Sequence, residues 1–292
     1  MKSLLLIANP IANKFSPRGL EQAVEVFKAA GYRVLLRQTA RAGHATELAR
    51  QAVQEGVALV AVAGGDGTFN EALNGLAGSG IPMGILPMGT TNVLAWELGL
   101  PRSARASAQR IVAAQGRQAW VGALEFPGRR RRLFFLMAGI GFDGQAVCRL
   151  RRAGRKHYGG KAAYVGAALR SLLRWQPPEL SVVVDGKRHQ GISSLLCLKA
   201  AHYGGFMKAS RRASLFSPFL QCLLIRDCTR ADLLRYGLGL LLGRLERQRG
   251  IESLACTEVL VEGSAWVQTD GDCAGQSPLR VSVAQERITL LW

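Results

Sequence analysis

The stretch best equipped for chemistry is Val57 to Gly78, VALVAVAGGDGTFNEALNGLAG. A buried-looking apolar run, Val57 to Ala63, leads into Gly64, Gly65, Asp66, Gly67 and Thr68, and Phe69, Leu73 and Leu76 then fall on one side of a helix. A strand, a glycine turn and a helix N-terminus in succession aim backbone N–H groups and a positive dipole end at one point, which suits a phosphate. Glycines let the backbone approach such a group closely. Asp66 places a carboxylate facing the same guest or a metal ion bound to it. The plainer alternative is a tight turn with no ligand, in which Thr68 caps the helix and Glu71 completes a capping box. Gly89, Thr90, Thr91 and Asn92 repeat the design after the next apolar run, Met83 to Leu86, although taken alone that loop reads equally well as an ordinary N-cap. Two such loops on neighbouring strands favour a shared nucleotide site.

The elements that must position these loops alternate along the first part of the chain. Ser3 to Ala8 predicts a buried strand that runs into Asn9, Pro10, Asn13 and Lys14. Ser16-Pro17 offers an N-cap with proline at the first helical position, and Gly31 ends that helix. A strand over Tyr32 to Gln38 ends at Thr39, and a helix follows over His44 to Glu55. Further helices are expected over Val93 to Leu98 and Ser103 to Gln115. Alternation with short loops calls for a parallel sheet with right-handed crossovers, whose ligands bind outside the carboxyl ends of the strands. From about Ala119 the segments become short and strand-like, with a strong hairpin signal at Asp185-Gly186. Helices are expected there only over Gly160 to Trp175 and Thr229 to Arg244. The reading is a Rossmann-like α/β nucleotide-binding domain over 1–120 and a β-rich, sandwich-like domain over 121–284.

The formal net charge is +18, so anionic surfaces attract this protein: acidic lipid, phosphorylated substrate or nucleic acid. Nucleic acid is disfavoured, because no RNP-like or helix-turn-helix pattern occurs and aromatics do not interleave with the basic residues. The basic run Arg149 to Lys161 and the arginines Arg129 to Arg132 are either a solvated face or a contact to an anionic bilayer. Six scattered cysteines without metal-ligand spacing read as reduced core thiols of a cytoplasmic protein. His157 and His202 read as surface or core residues. The apolar stretch Leu233 to Leu242 is too short to span a bilayer and holds Arg235. A soluble or peripheral protein is expected, and a homodimer is left open.

Asn9-Pro10, GGDGT with Asn70-Glu71, PMGTTN, AGIGFDG at 138–144, GGKAAY at 159–164 and DGD at 270–272 occur in the order that resembles the diacylglycerol kinase catalytic family, nearest the soluble bacterial lipid kinases related to sphingosine and ceramide kinases. The resemblance implies a nucleotide-binding domain and a β-rich lipid domain with a cleft between them. It implies that the tail, about 285–292, returns to the first domain. It implies transfer of the ATP γ-phosphate to a lipid hydroxyl with Mg²⁺, at an anionic membrane surface. Carried over by position, Asn9, Thr39, Gly64, Gly65, Asp66, Gly67, Thr68, Asn70, Glu71, Gly89, Thr90 and Asn92 meet the nucleotide. Asp272 stands where similar enzymes carry the glutamate of DGE, taken as proton acceptor, and Asp66 is the rival for that role. Asp143 is a candidate contact to the acceptor hydroxyl, a turn residue being the alternative. Similar kinases carry Asp-Gly at Ser217-Pro218, where the aspartate helps hold a second magnesium ion. Serine brings no charge to such a site. An NAD kinase, which shares the GGDGT turn, and a weakly active lipid- or nucleotide-binding pseudokinase are the alternatives.

Overall fold

The computed structural model describes residues 2–128, 131–152, 170, 172–226 and 228–292. Most of the helix expected over 160–175, the GGKAAY segment and His157 lie outside the described residues, as do most of the basic run 149–161 and Arg129 and Arg130. The chain divides into two compact units, residues 1–120 with 285–292, and residues 121–284.

The first unit alternates β1 (Lys2–Ala8), α1 (Pro17–Ala29), β2 (Tyr32–Gln38), α2 (His44–Gln54), β3 (Leu59–Gly64), α3 (Asp66–Leu76), β4 (Met83–Pro87), α4 (Val93–Glu97) and α5 (Ala104–Ala113). The strands lie in the order β2–β1–β3–β4 and are parallel throughout, with Leu4 opposite Leu59 and Val60 opposite Met83. Leu290 and Leu291, from the last strand, pair parallel with Met83 and Gly84. In β1, Leu4, Leu5, Leu6 and Ile7 are all fully buried. Successive strand residues point to opposite faces, so both faces of this sheet are covered. On one face Leu4, Leu6, Leu59 and Ala61 pack with Phe27 of α1 and Ile111 of α5. Each such leucine contributes about 1.5–3 kcal/mol by leaving water, which makes an Asp at Leu5 incompatible with the sheet. Ser16 caps α1 through its hydroxyl, as the sequence predicts, and Ser103 caps α5 in the same way.

The second unit is antiparallel. It contains most of β5 (Arg117–Glu125), then β6 (Arg132–Phe134), β7 (Met137–Ile140), α6 (Phe142–Arg152), β8 (Leu180–Val184), β9 (Lys187–Leu198), β10 (His202–Tyr203) and β11 (Met207–Lys208). There follow β12 (Leu220–Arg226), α7 (Arg230–Leu241), β13 (Ile251–Cys256), β14 (Glu258–Glu262), β15 (Trp266–Thr269), β16 (Asp272–Gln276) and the first part of β17 (Leu279–Leu291). The main order is β16–β15–β7–β9–β8–β14–β17, with β12 joining β9 to β13. The β8–β9 hairpin turns at Asp185 and Gly186, whose φ values of 43° and 85° are those of a two-residue primed turn. Leu180, Val182, Val259 and Val261 alternate into the core with Leu195 and Leu224. The α7 helix opens on a capping box between Thr229 and Asp232 and buries Leu233 and Tyr236. Its other side leaves Leu234, Leu238, Leu241 and Leu242 between 57% and 61% exposed.

One expectation fails here. Cys148 of α6 and Cys273 of β16 form a disulfide, whereas the sequence reads as six reduced thiols. The partners are 125 residues apart and meet only because β16 folds back beside α6, which no spacing reveals. Cys197, Cys222, Cys228 and Cys256 are free and buried.

Candidate active site residues in each unit

In the first unit the three polar loops gather at the carboxyl ends of β1, β3 and β4. The Asn9 amide donates to the Thr68 hydroxyl at 2.9 Å, and the Asn13 amide to the Thr90 hydroxyl at 2.6 Å. The Lys14 N–H donates to the Met88 carbonyl at 2.9 Å, and the Thr39 N–H to the Ala8 carbonyl at 2.9 Å, so Thr39 closes the β2 side of the same edge. The glycine loops touch: a Cβ on Gly89 would stand 2.6 Å from the Gly65 Cα and 2.6 Å from the Asn92 Oδ1. Asn92, with φ of 46°, folds its side chain over its own loop, accepting from the Gly89 N–H and donating to the Gly89 carbonyl. Asn70 is buried, and its side-chain oxygen and carbonyl accept from the Asn74 amide.

The turn differs in detail from the sequence reading. Helix α3 starts at Asp66, with Gly65 as the flanking residue and Gly67 in its first turn. Thr68 therefore lies inside the helix and caps nothing. Glu71 completes no capping box; its carboxylate accepts the Ala45 N–H at 3.2 Å, while its carbonyl accepts the Thr46 hydroxyl at 2.8 Å, tying α2 to α3. Asp66 turns towards the next loop. Its Oδ2 accepts the Val93 N–H at 3.0 Å and the Thr91 hydroxyl at 3.2 Å, and its Oδ1 accepts the Leu94 N–H at 3.0 Å. The carboxylate thus fastens the GTTN loop and the start of α4 to the GGDGT turn. What the edge offers is a set of short hydroxyl and amide groups beside the N-terminus of an eleven-residue helix, chemistry that fits a nucleotide's phosphates. Among the described residues no cluster of three or more His, Cys, Asp or Glu could hold a metal ion.

In the second unit the GFDG and DGD segments come together through residues that carry no motif. Asp143 sits in the first turn of α6, buried, and is not a turn residue. Its carboxylate accepts from the Tyr203 hydroxyl and from the Gln268 amide, the latter at 2.6 Å. Gln268 in turn accepts the Gly271 N–H at 2.9 Å, which links Asp143 to the DGD turn. Gly139 has no alternative, since a Cβ there would lie 1.9 Å from the Asp143 Oδ2. Burial raises the Asp143 pKa, and the bonds from Tyr203 and Gln268 partly oppose it. Within DGD the two aspartates have different surroundings. Asp270 is buried and accepts the N–H groups of Phe135, Leu136 and Met137 at 2.8, 2.9 and 3.0 Å. Burial raises its pKa, against those three bonds and the nearby Arg132. Asp272 keeps 20% of its side chain exposed and pairs with Arg132 at 3.3 Å. Tyr203, Gln268 and Arg132 escape sequence reasoning because they stand 60, 125 and 140 residues from the aspartates they serve. Only the strand pairing of β15 with β7 brings Gln268 to Gly139.

Residues 3–124 match the model of the diacylglycerol kinase catalytic domain, and residues 137–292 match that of the YegS C-terminal NAD kinase beta sandwich-like domain. A diacylglycerol kinase of Bacillus subtilis (strain 168) is 29% identical over 285 residues, covering 95% of this chain and 92% of the relative. A diacylglycerol kinase of Mycobacterium tuberculosis (strain H37Rv) is 30% identical over 253 residues, covering 85% of this chain and 81% of the relative. A solved diacylglycerol kinase structure from Bacillus anthracis str. Sterne superposes with a TM-score of 0.78 at 22% identity, covering 100% of this chain and 96% of that one. That likeness concerns the fold, an α/β unit followed by a β-rich sandwich unit. The family and the names of the relatives indicate a lipid kinase. On these matches the chain belongs to the diacylglycerol kinase family of lipid kinases.

Proposed function

We propose that the protein transfers the γ-phosphate of ATP to the hydroxyl of a diacylglycerol-like lipid, with Asp272 as the proton acceptor. The observation that carries the choice of base is the contrast between the two candidates. Both Asp66 oxygens are engaged by α4 and Thr91, whereas Asp272 is partly exposed and paired with Arg132. Asp66 is then a positioning residue, which fixes the second phosphate loop upon the first. Asn9, Thr68, Asn13 and Thr90 present hydroxyl and amide groups to the nucleotide, and Thr39 borders them at the end of β2. Asp143, held by Tyr203 and Gln268, positions the DGD turn through Gly271. In the reaction the lipid oxygen bonds to the γ-phosphorus, the bond from that phosphorus to the β–γ bridging oxygen breaks, ADP leaves, and the hydroxyl proton passes to the Asp272 carboxylate. Positioning and charge stabilisation supply most of such a rate. Magnesium, bound chiefly through phosphate oxygens, would neutralise charge developing on them.

The lipid substrate requires a bilayer contact, and α7 supplies the chemistry for one. Leu234, Leu238 and Leu241 form an exposed apolar side of α7, exposed Leu242 follows at its end, and the same segment of sequence carries Arg230, Arg235 and Arg244. The contact proposed is a peripheral one; among the described residues no helix is long and apolar enough to cross a membrane. Buried leucines and basic residues near an anionic surface act together in that arrangement. The test is γ-labelled ATP with a total lipid extract and, separately, with diacylglycerol in mixed micelles. Labelled phosphatidic acid supports the reading; ATP binding without any labelled lipid refutes it in favour of a pseudokinase.

A further inference from the structure

The second unit holds a buried cation that the kinase reading does not use. Lys199, just past the end of β9, is fully buried. Its ammonium donates to the carbonyl oxygens of Ser214 at 3.1 Å, Ser217 at 2.5 Å and Phe219 at 3.0 Å. An ammonium has three protons, and each has an acceptor. None of the three acceptors is a carboxylate. Three carbonyl dipoles from one six-residue stretch converge with their negative ends on a single point, which is how backbone holds a cation.

The stretch is shaped for this by its own serines. The Ser214 hydroxyl accepts the Phe216 N–H at 3.2 Å, the Ser217 hydroxyl accepts the Phe219 N–H at 3.3 Å, and the Ser217 N–H returns to the Ser214 carbonyl at 3.2 Å. These turns bring the carbonyls of Ser214, Ser217 and Phe219 to one point. Without a cation the carbonyls would repel one another in a buried space. Burial pulls the Lys199 pKa down to about 8, the mark of a charge taken from water, and the carbonyls stand in for that water. The Lys199 N–H also donates to the Leu136 carbonyl at 2.8 Å, and the Leu136 N–H is held by Asp270 at 2.9 Å, so the site is anchored next to the DGD turn.

The family resemblance implies a second magnesium ion held by an aspartate at position 217. The residues present do not fit it. Ser217 offers no carboxylate, a hard divalent ion needs several oxygen ligands with negative charge among them, and the converging carbonyls already surround an ammonium. We propose that residues 214–219 form a cation site whose resident cation is the protein's own Lys199, in place of a divalent ion. The second unit is thereby stable without metal.

The test uses thermal unfolding and calorimetry of the whole chain, so it does not depend on kinase activity. Wild-type protein is expected to unfold at the same temperature in a chelator as in millimolar Mg²⁺ or Ca²⁺. Lys199→Met is expected to unfold lower by on the order of 5 °C or more in chelator. The double variant Lys199→Met with Ser217→Asp, which restores a carboxylate to emptied carbonyls, is expected to bind about one equivalent of Ca²⁺ and to regain stability with it. Should Lys199→Met not fold, the double variant prepared in Ca²⁺ still decides the matter. The proposal is overturned if divalent ions stabilise the wild type as much as the double variant, if Lys199→Met unfolds like the wild type, or if the double variant binds no Ca²⁺.

Discussion

Replacing Asp66 by Asn separates a scaffold role from a catalytic one. The Asp66 carboxylate accepts hydrogen bonds from Val93 and Leu94 N–H at 3.0 Å each and from the Thr91 hydroxyl at 3.2 Å. An amide has one acceptor oxygen. Turned towards Val93 and Thr91, it sets its NH₂ against the Leu94 N–H, donor facing donor. One charge-assisted bond is lost, costing about 1.5–3 kcal/mol, and the two that remain become neutral and weaker. A total of about 2–4 kcal/mol lowers the unfolding midpoint by on the order of 5–10 °C. Because the GTTN loop is fastened through this carboxylate, KM for ATP should rise while kcat falls by less than about tenfold, as for lost positioning rather than lost proton transfer. The assay is thermal unfolding alongside steady-state kinetics with labelled ATP. A kcat loss of about 10²-fold or more at an unchanged midpoint would make Asp66 the base and refute this reasoning.

Three further outcomes follow from the same structure. Asp272→Asn should lower kcat by about 10²–10⁴ with KM for ATP little changed; an amide keeps an acceptor oxygen for Arg132, so kcat should fall far more than the unfolding midpoint, and full activity in this variant would remove Asp272 from the mechanism. The folded Asp143 has its pKa raised above the 3.8 of the unfolded chain, so between these values the folded state binds the extra proton and stability falls as pH rises through that window. Asp143→Asn can still meet both Tyr203 and Gln268, and should therefore match or exceed the wild type at neutral pH and lose that part of the pH dependence; an equal loss of stability at every pH counts against it. Leu238→Glu with Leu242→Glu should abolish sedimentation with anionic phosphatidylglycerol vesicles while activity on detergent-dispersed lipid persists. Unchanged vesicle binding, or a dimer converted to monomer, would assign the leucine face elsewhere.

The first unit was largely legible because its signals are local. A run such as Ser3 to Ala8 is buried on both faces, and that alone marks a central parallel strand; Ser16-Pro17 and Ser103 mark helix starts by side-chain chemistry within three residues. The Asp185-Gly186 turn was equally plain, since only residues tolerant of positive φ close a two-residue hairpin. The partners of the site residues were not legible. Asp143 takes Tyr203 from 60 residues away and Gln268 from 125, and Lys199 takes three carbonyls, groups that every residue carries and no sequence can flag. The start of α3 was misplaced by three residues for a related reason: Thr68 has the right side chain for a cap, but Gly65 takes the cap position and the Thr68 hydroxyl accepts from Asn9.

A motif therefore mixes residues that meet a ligand with residues that make the first group possible. In GGDGT the carboxylate looks like chemistry and serves as a fastener, while Gly65 looks like a phosphate contact and also packs against Gly89, where a Cβ would stand 2.6 Å from the Gly65 Cα. In DGD the first aspartate is consumed by three backbone N–H groups of Phe135 to Met137, which leaves the second one outward. The same logic applies to the proposed cation site, where Ser217 contributes its backbone carbonyl and no side-chain charge. The requirement at 214–219 is a positive charge at the point where carbonyls converge, and a lysine on a neighbouring strand end meets it as well as an ion, with the added property that it cannot be removed by a chelator.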